Sequence, residues 1–329
     1  MTPPFRAKFP ADESEPPLSH RASPLSSTAP SPSPAPAPSP SRRATRIGLV
    51  AIALWSTLAL STAATGAVPP FLLTALTFAI GGLVGLIAAL RGPGLRVLRQ
   101  RPAAWLHGVG GLFGYHFMYF SALKLAPPAE AGLIAYLWPL LIVLLAAMLP
   151  GAGLKRTHVL GALLGLAGTI VLLAGKGGFS GFEARFEARF LPGYLAALAC
   201  AFIWAIYSVT ATRFADVPTQ AVSGFCLATA VLAGLCHLAW EETVWPAGAI
   251  QWAAVIALGI GPVGIAFYAW DIGMKRGDVG LLGVASYAAP VLSTLLLVAT
   301  GFATARWPLA LACLLIVGGA WTATRTGRQ

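Results

Sequence analysis

Hydrophobic residues in this chain come in long unbroken runs, and polar residues gather at the joins between them. The runs occupy about 46–65, 70–90, 103–124, 129–150, 157–175, 193–213, 218–240, 249–274, 279–300 and 307–324. Each is close to the ~20 residues a helix needs to cross ~30 Å of hydrocarbon. Strands of a lipid-spanning barrel would alternate with period two, whereas these runs are continuous and rich in Leu, Ala and Gly. The pattern predicts an all-α membrane protein with ten transmembrane helices.

Those runs fall into two sets of five. The third and fourth align without a gap on the eighth and ninth, pairing Gly108 with Gly259, Gly110 with Gly261, Lys124 with Lys275, Gly132 with Gly283, Tyr136 with Tyr287 and Pro139 with Pro290. Trp55 and Trp204 hold matching places in the first and sixth runs. A unit with an odd number of spans must sit upside down relative to its copy. Inverted pairs of this kind give secondary transporters two access states from one packing scheme. The expected architecture is two inverted five-helix repeats, 46–175 and 193–324, around a central cavity, with a periplasmic linker at 176–192.

Composition agrees with lipid as the solvent. The chain has 329 residues, 57% hydrophobic and 10% charged, against about 25% charged in a soluble domain. A formal charge of +11 would suit nucleic acid, but the charges lie in short joins, so no nucleic-acid partner is expected. Cys200, Cys226, Cys236 and Cys313 fall inside runs without metal-ligand spacing and read as packing residues; no metal or cofactor is expected. Residues 1–45 carry a Pro/Ser/Ala tract with no apolar period, which predicts a disordered or polyproline-like tail. That tail has no apolar core of a secretory signal.

Basic residues set the orientation. Arg42, Arg43, Arg46, Arg91, Arg96, Arg99, Arg101, Lys155, Arg156, Arg213, Lys275, Arg276, Arg325 and Arg328 fall on one side. The other side has Lys124, Lys176, Arg185, Arg189 and Arg306, together with Glu241 and Glu242. Both termini, including 325–329, are expected in the cytoplasm. An Ala-, Gly- and Arg-rich composition hints at a bacterium and hence its inner membrane.

Candidate chemistry lies mid-span. Pro139, Pro262 and Pro290 interrupt helices that must satisfy their own backbone. Pro139 frees the carbonyl of Ala135 and Pro290 that of Ser286, so each proline reads either as a hinge or as a passive kink. Around them lie Tyr115, His116 and Tyr119 on one helical face, then Tyr136, Trp138, Trp204, Tyr207, Tyr268, Trp270 and Tyr287. Deep aromatics with polar tips either wall a cavity for a flat organic solute or pack helices together. His116 is either a substrate ligand or a satisfied structural histidine. Asp271 and Lys275 read as a solvated i,i+4 pair, and Glu130 as a carboxylate at a helix start. No Walker-type loop is present, so direct ATP drive is not expected, and no pair of facing carboxylates points to an intramembrane enzyme.

The run Tyr115-His116-Phe117-Met118-Tyr119-Phe120-Ser121-Ala122-Leu123-Lys124, with Pro139 in the next span, resembles the EamA-type drug/metabolite transporter superfamily. Tyr136-Leu137-Trp138-Pro139 with the Tyr/His/Trp set looks like its YddG-type branch of aromatic amino acid exporters. The resemblance spans about 46–324, and the proline-rich tail departs from it. It implies a carrier that moves aromatic amino acids or related small solutes out of the cell; a monomer in the bilayer is expected. A multidrug or organic-cation exporter of the same fold is the alternative, since aromatic walls also attract cations.

Overall fold

A computed structural model describes residues 41–149, 156–177, 188–301 and 307–324. Most of the expected N-terminal tail, residues 178–187 of the linker and the 325–329 terminus lie outside the described residues. Among the described residues every regular element is helical.

In chain order these are α1 (Arg42–Trp55), α2 (Leu58–Ala63), α3 (Pro70–Leu90), α4 (Pro102–Leu125), α5 (Pro128–Ala135), α6 (Trp138–Ala146) and α7 (Arg156–Gly177). There follow α8 (Leu191–Thr210), α9 (Val222–Trp240), α10 (Gly248–Leu258), α11 (Ala266–Arg276), α12 (Val279–Ala285), α13 (Ala288–Ala299) and α14 (Trp307–Thr324). Among the described residues, seven stretches are long and apolar enough to cross a membrane: Arg42–Ala63, Pro70–Leu90, Arg156–Leu173, Ala188–Phe214, Thr219–Trp240, Gly248–Arg276 and Val279–Ala299. Glu130–Ala146 and Trp307–Ala323 are apolar but shorter. Helix α4 is long enough at 24 residues, yet His107, Tyr115, His116 and Tyr119 make it too polar to join that set. The helix that departs from the apolar rule is the one with the densest candidate chemistry.

Prolines open α3, α4 and α5, where a missing N–H costs nothing. Asp278 caps α12 by accepting from the Leu281 N–H at 2.9 Å. Helix α3 is capped from a distance. The Glu241 carboxylate, beyond the end of α9, accepts from the Phe71 and Leu72 N–H groups at 2.9 and 3.1 Å. His237 holds the same carboxylate at 2.9 Å. A buried negative charge thus meets the positive end of the α3 dipole.

Between helices in lipid, close packing rather than the hydrophobic effect supplies the attraction, and small residues permit it. Helix α1 lies along α11, α4 along α8, α3 along α9 and α7 along α14, while α6 packs on α8 and α12. Gly48 and Gly273 let α1 and α11 touch, since a Cβ on Gly273 would stand 2.8 Å from the Gly48 Cα. Gly161 and Gly319 do the same for α7 and α14, a Cβ on Gly161 reaching 2.6 Å from the Gly319 carbonyl oxygen. Large apolar side chains such as Leu106, Leu238, Ile250, Leu314 and Val317 are exposed, a surface that lipid would cover.

Three apolar runs break and one widens. Run one breaks after Trp55, run four between Ala135 and Trp138, and run nine between Ala285 and Ala288. Pro139 and Pro290 sit just inside the helices that restart. The Ser286 carbonyl, expected to lack a partner, instead accepts from the Ala289 N–H at 3.1 Å. A tighter three-residue bond replaces the one that Pro290 cannot donate. In run eight, Gly259–Ile265 widens to a π-helix around Pro262, a usual answer to a proline inside a helix.

Candidate functional site

Four tryptophans from four different runs meet at these irregularities. Trp55 is the last residue of α1, Trp138 the first of α6, Trp204 lies in α8 and Trp270 in α11. All six ring pairs are in contact. Trp55 stands 6.4, 5.7 and 5.0 Å from Trp138, Trp204 and Trp270. Trp138 lies 6.3 and 6.1 Å from Trp204 and Trp270, which themselves are 6.3 Å apart at 20°. A flat solute between two parallel rings needs roughly 7 Å, two contacts of ~3.5 Å. In this conformation the indoles close on one another, and a guest ring must part them.

The polar tips of two indoles are satisfied. Trp55 Nε1 donates to the Pro262 carbonyl at 3.0 Å, so the π-helical turn supplies the acceptor. Trp270 Nε1 donates to Ser208 Oγ at 3.0 Å. The helix breaks lie beside the rings, and the π-helical turn holds at least one of them.

Further rings extend the cluster in two directions. Tyr115 touches Trp204 at 5.2 Å, stacks on Tyr119 at 6.0 Å and meets His116 at 5.1 Å. His116 Nδ1 donates to the Leu112 carbonyl at 2.7 Å, and its ring is packed against Phe78 at 5.0 Å. Its Nδ1 is therefore committed to its own helix, leaving Nε2 as the nitrogen available to another group. Tyr136 stands at the end of α5, which packs on α4. In the other direction Trp204 touches Tyr207 at 5.3 Å, Tyr207 touches His107 at 4.8 Å, and His107 stacks on Phe214 at 4.3 Å. That series ends in a surface cleft of about 490 Å³ lined by Arg101, His107, Arg213 and Phe214.

Of the residues expected at the site, the structure brings together Tyr115, His116, Tyr119, Tyr136, Trp138, Trp204, Tyr207 and Trp270. Tyr268 packs against the same buried cluster as the indoles, but its hydroxyl turns to α3 and donates to the Gly81 carbonyl at 3.2 Å. Tyr287 is buried in a separate cluster with Val143, Ala162 and Ile316. Trp55, His107 and Phe267, whose ring lies 6.1 Å from Trp55 and 5.9 Å from Trp204, were not expected. Trp55 had a signal, its repeat partner Trp204; His107 and Phe267 had none beyond being aromatic.

Asp271 and Lys275 correct a reading from the sequence. They are not solvated: their side chains are 6% and 4% exposed and pair at 2.9 Å. Thr219 Oγ1 donates to Asp271 Oδ2 at 2.6 Å, and Lys275 Nζ donates to the Val217 carbonyl at 2.9 Å. Glu130 has a second role besides its helix start, since it accepts from the Tyr194 hydroxyl of α8.

Comparison with known proteins places these features in context. The EamA-like transporter family matches residues 46–174 and again 191–325. The chain is 68% identical over 287 residues to the aromatic amino acid exporter YddG of Ancylobacter novellus, covering 87% of this chain and 98% of that one. The YddG exporter of Salmonella typhimurium is 30% identical over 78% of this chain and 87% of its own. A solved crystal structure, 67% identical, superposes with a TM-score of 0.82 over 87% of this chain and 99% of its own.

Proposed function

Because this chain belongs to the EamA-like transporter family, we propose that it exports aromatic amino acids by alternating access, without ATP. The observation that carries this reading is the four-indole cluster formed by Trp55, Trp138, Trp204 and Trp270. It gathers ring surface from both halves of the chain at the point where the helices break. The name carried by the relative at 68% identity supports the same substrate class.

Several observations support two inverted five-helix units. The family matches the chain twice, and its two segments fall on the two sets of runs. Exchanging the first five runs for the second five turns the α1 with α11 contact into the α8 with α4 contact, both of which exist. The same exchange carries α3 with α9 and α7 with α14 onto themselves. The basic joins support cytoplasmic termini in a bacterial inner membrane, and the protein is read as a monomer.

Mechanistically, a flat side chain enters by displacing indole from indole, exchanging one set of ring contacts for another. The breaks beside Trp55, Trp138 and Tyr287 and the wide turn at Pro262 let helix halves tilt without unzipping whole helices. An organic-cation exporter would use the same walls. The test is purified protein in liposomes with radiolabelled tryptophan, phenylalanine, leucine and an aromatic dication as competitor. Saturable, counterflow-stimulated uptake of the aromatic amino acids that Trp138→Ala abolishes supports the proposal. Uptake of the dication alone would replace it with the cation reading.

A further inference from the structure

We propose that the buried Asp271–Lys275 pair is the head-group half of the substrate site, Asp271 receiving the ammonium and Lys275 the carboxylate of an amino acid zwitterion. This rests on the transport reading above and completes it. The indole cluster offers ring surface, but none of its side chains carries a formal charge. An aromatic amino acid presents two opposite charges on one Cα next to its ring, and those charges need partners inside the protein.

The pair is placed for the task. Asp271 directly follows Trp270 in α11. Val217, whose carbonyl accepts from Lys275, packs in one buried cluster with Trp204, Tyr207 and Trp270, and the Tyr207 ring touches Trp204 at 5.3 Å. The pair thus adjoins the cluster on the side from which the ring series runs toward the Arg101 and Arg213 cleft. A lysine at the end of a span ordinarily stretches its ammonium to water. Lys275 instead turns inward and is 4% exposed. Intramembrane ions are costly to retain and tend to mark substrate paths.

The chemistry gives the pair a distinctive selectivity. Pulling one member of a buried ion pair away leaves the other charge bare, which is strongly unfavourable. A zwitterion satisfies both members at once, so charge stays compensated throughout the exchange. A monocation satisfies Asp271 and strands Lys275, and a monoanion does the reverse. Release of Thr219 and Val217, which the pair holds at 2.6 and 2.9 Å, would also free the connection between α8 and α9 as substrate binds.

The test uses the full-length chain in proteoliposomes with three radiolabelled probes: tryptophan, tryptamine (no carboxylate) and indole-3-propionate (no ammonium). Wild type is expected to favour tryptophan over both analogues by roughly tenfold or more. Lys275→Gln should raise tryptamine uptake relative to tryptophan by about tenfold, and Asp271→Asn should do the same for indole-3-propionate. Variants that slow all three probes by one common factor would make the pair a structural tie and overturn the proposal. Should either variant fail to fold, competition on the wild type decides: both analogues are expected to inhibit tryptophan uptake far more weakly than phenylalanine does. Equal inhibition overturns the proposal. Wild type that carries no tryptophan at all would instead sink the transport reading beneath it.

Discussion

The indole N–H of Trp55 donates to the carbonyl of Pro262 across 3.0 Å, between residues 207 apart in the chain. It ties the break in the first run to the wide turn in the eighth. Trp55→Phe keeps a ring in the cluster and removes only that bond. A buried acceptor left unmet costs about 1–3 kcal/mol. The expected result is a lower thermal midpoint in detergent and a turnover that falls more than apparent tryptophan affinity. A variant with wild-type midpoint and turnover would show that the tie is idle.

Pro139 and Pro290 make matching breaks, so both are expected to act on the speed of interchange rather than on binding. Pro139→Ala or Pro290→Ala lets a continuous helix form across the break. Turnover should drop by about tenfold, equivalent to ~1.4 kcal/mol on the barrier, while tryptophan binding measured at equilibrium stays within about twofold. Loss of affinity at constant turnover would count against hinge action.

Glycines sort themselves by what a methyl group would meet. Gly273→Ala places a Cβ 2.8 Å from the Gly48 Cα, and backbone cannot step aside cheaply, so a loss of about 1–3 kcal/mol is expected. Gly110→Ala and Gly132→Ala meet nothing within 4 Å and should be neutral or gain up to ~1 kcal/mol from helix propensity. Thermal unfolding of the three variants side by side checks the order.

Glu241 serves as a cap for α3 from outside that helix. Glu241→Ala removes the acceptor for two N–H groups and the partner of His237, all three interactions at 2.9–3.1 Å. Losing charge-assisted bonds of this kind costs about 1.5–3 kcal/mol each in isolation. Glu241→Gln keeps one acceptor oxygen and should recover part of the loss. Thermal midpoints in the order wild type, Gln, Ala are the expected readout.

What the sequence made legible follows its strongest periodicities. Runs of apolar residues locate the helices because lipid leaves the backbone no other solution. The repeat reads through to packing in part: the matched Gly108 and Gly259 both lie under neighbouring groups, against Phe225 and Ile80, while the matched Gly110 and Gly261 have room for a Cβ, Gly110 facing open space and Gly261 meeting only Leu54 at 3.7 Å. Elsewhere the copies diverge where spacing gives no warning. Lys124 is exposed while Lys275 is buried in an ion pair. Tyr136 ends a helix packed on α4, which carries the ring series, while Tyr287 packs in another cluster. Helical spacing says which residues share a face, but which face turns inward depends on the partner helix. That dependence hid His107 and Phe267, left Trp55 marked by the repeat but unassigned to the site, and made Asp271 look solvated.

The mutual contact of Trp55, Trp138, Trp204 and Trp270 has an optical consequence. Indole chromophores with centroids 5.0–6.4 Å apart couple their electronic transitions, so the packed cluster should yield a near-ultraviolet circular-dichroism couplet and quenched, depolarised emission. Any event that separates the rings should weaken both signals against the background of the other six tryptophans. The protein therefore carries an intrinsic, label-free spectroscopic gauge of how far its centre has opened.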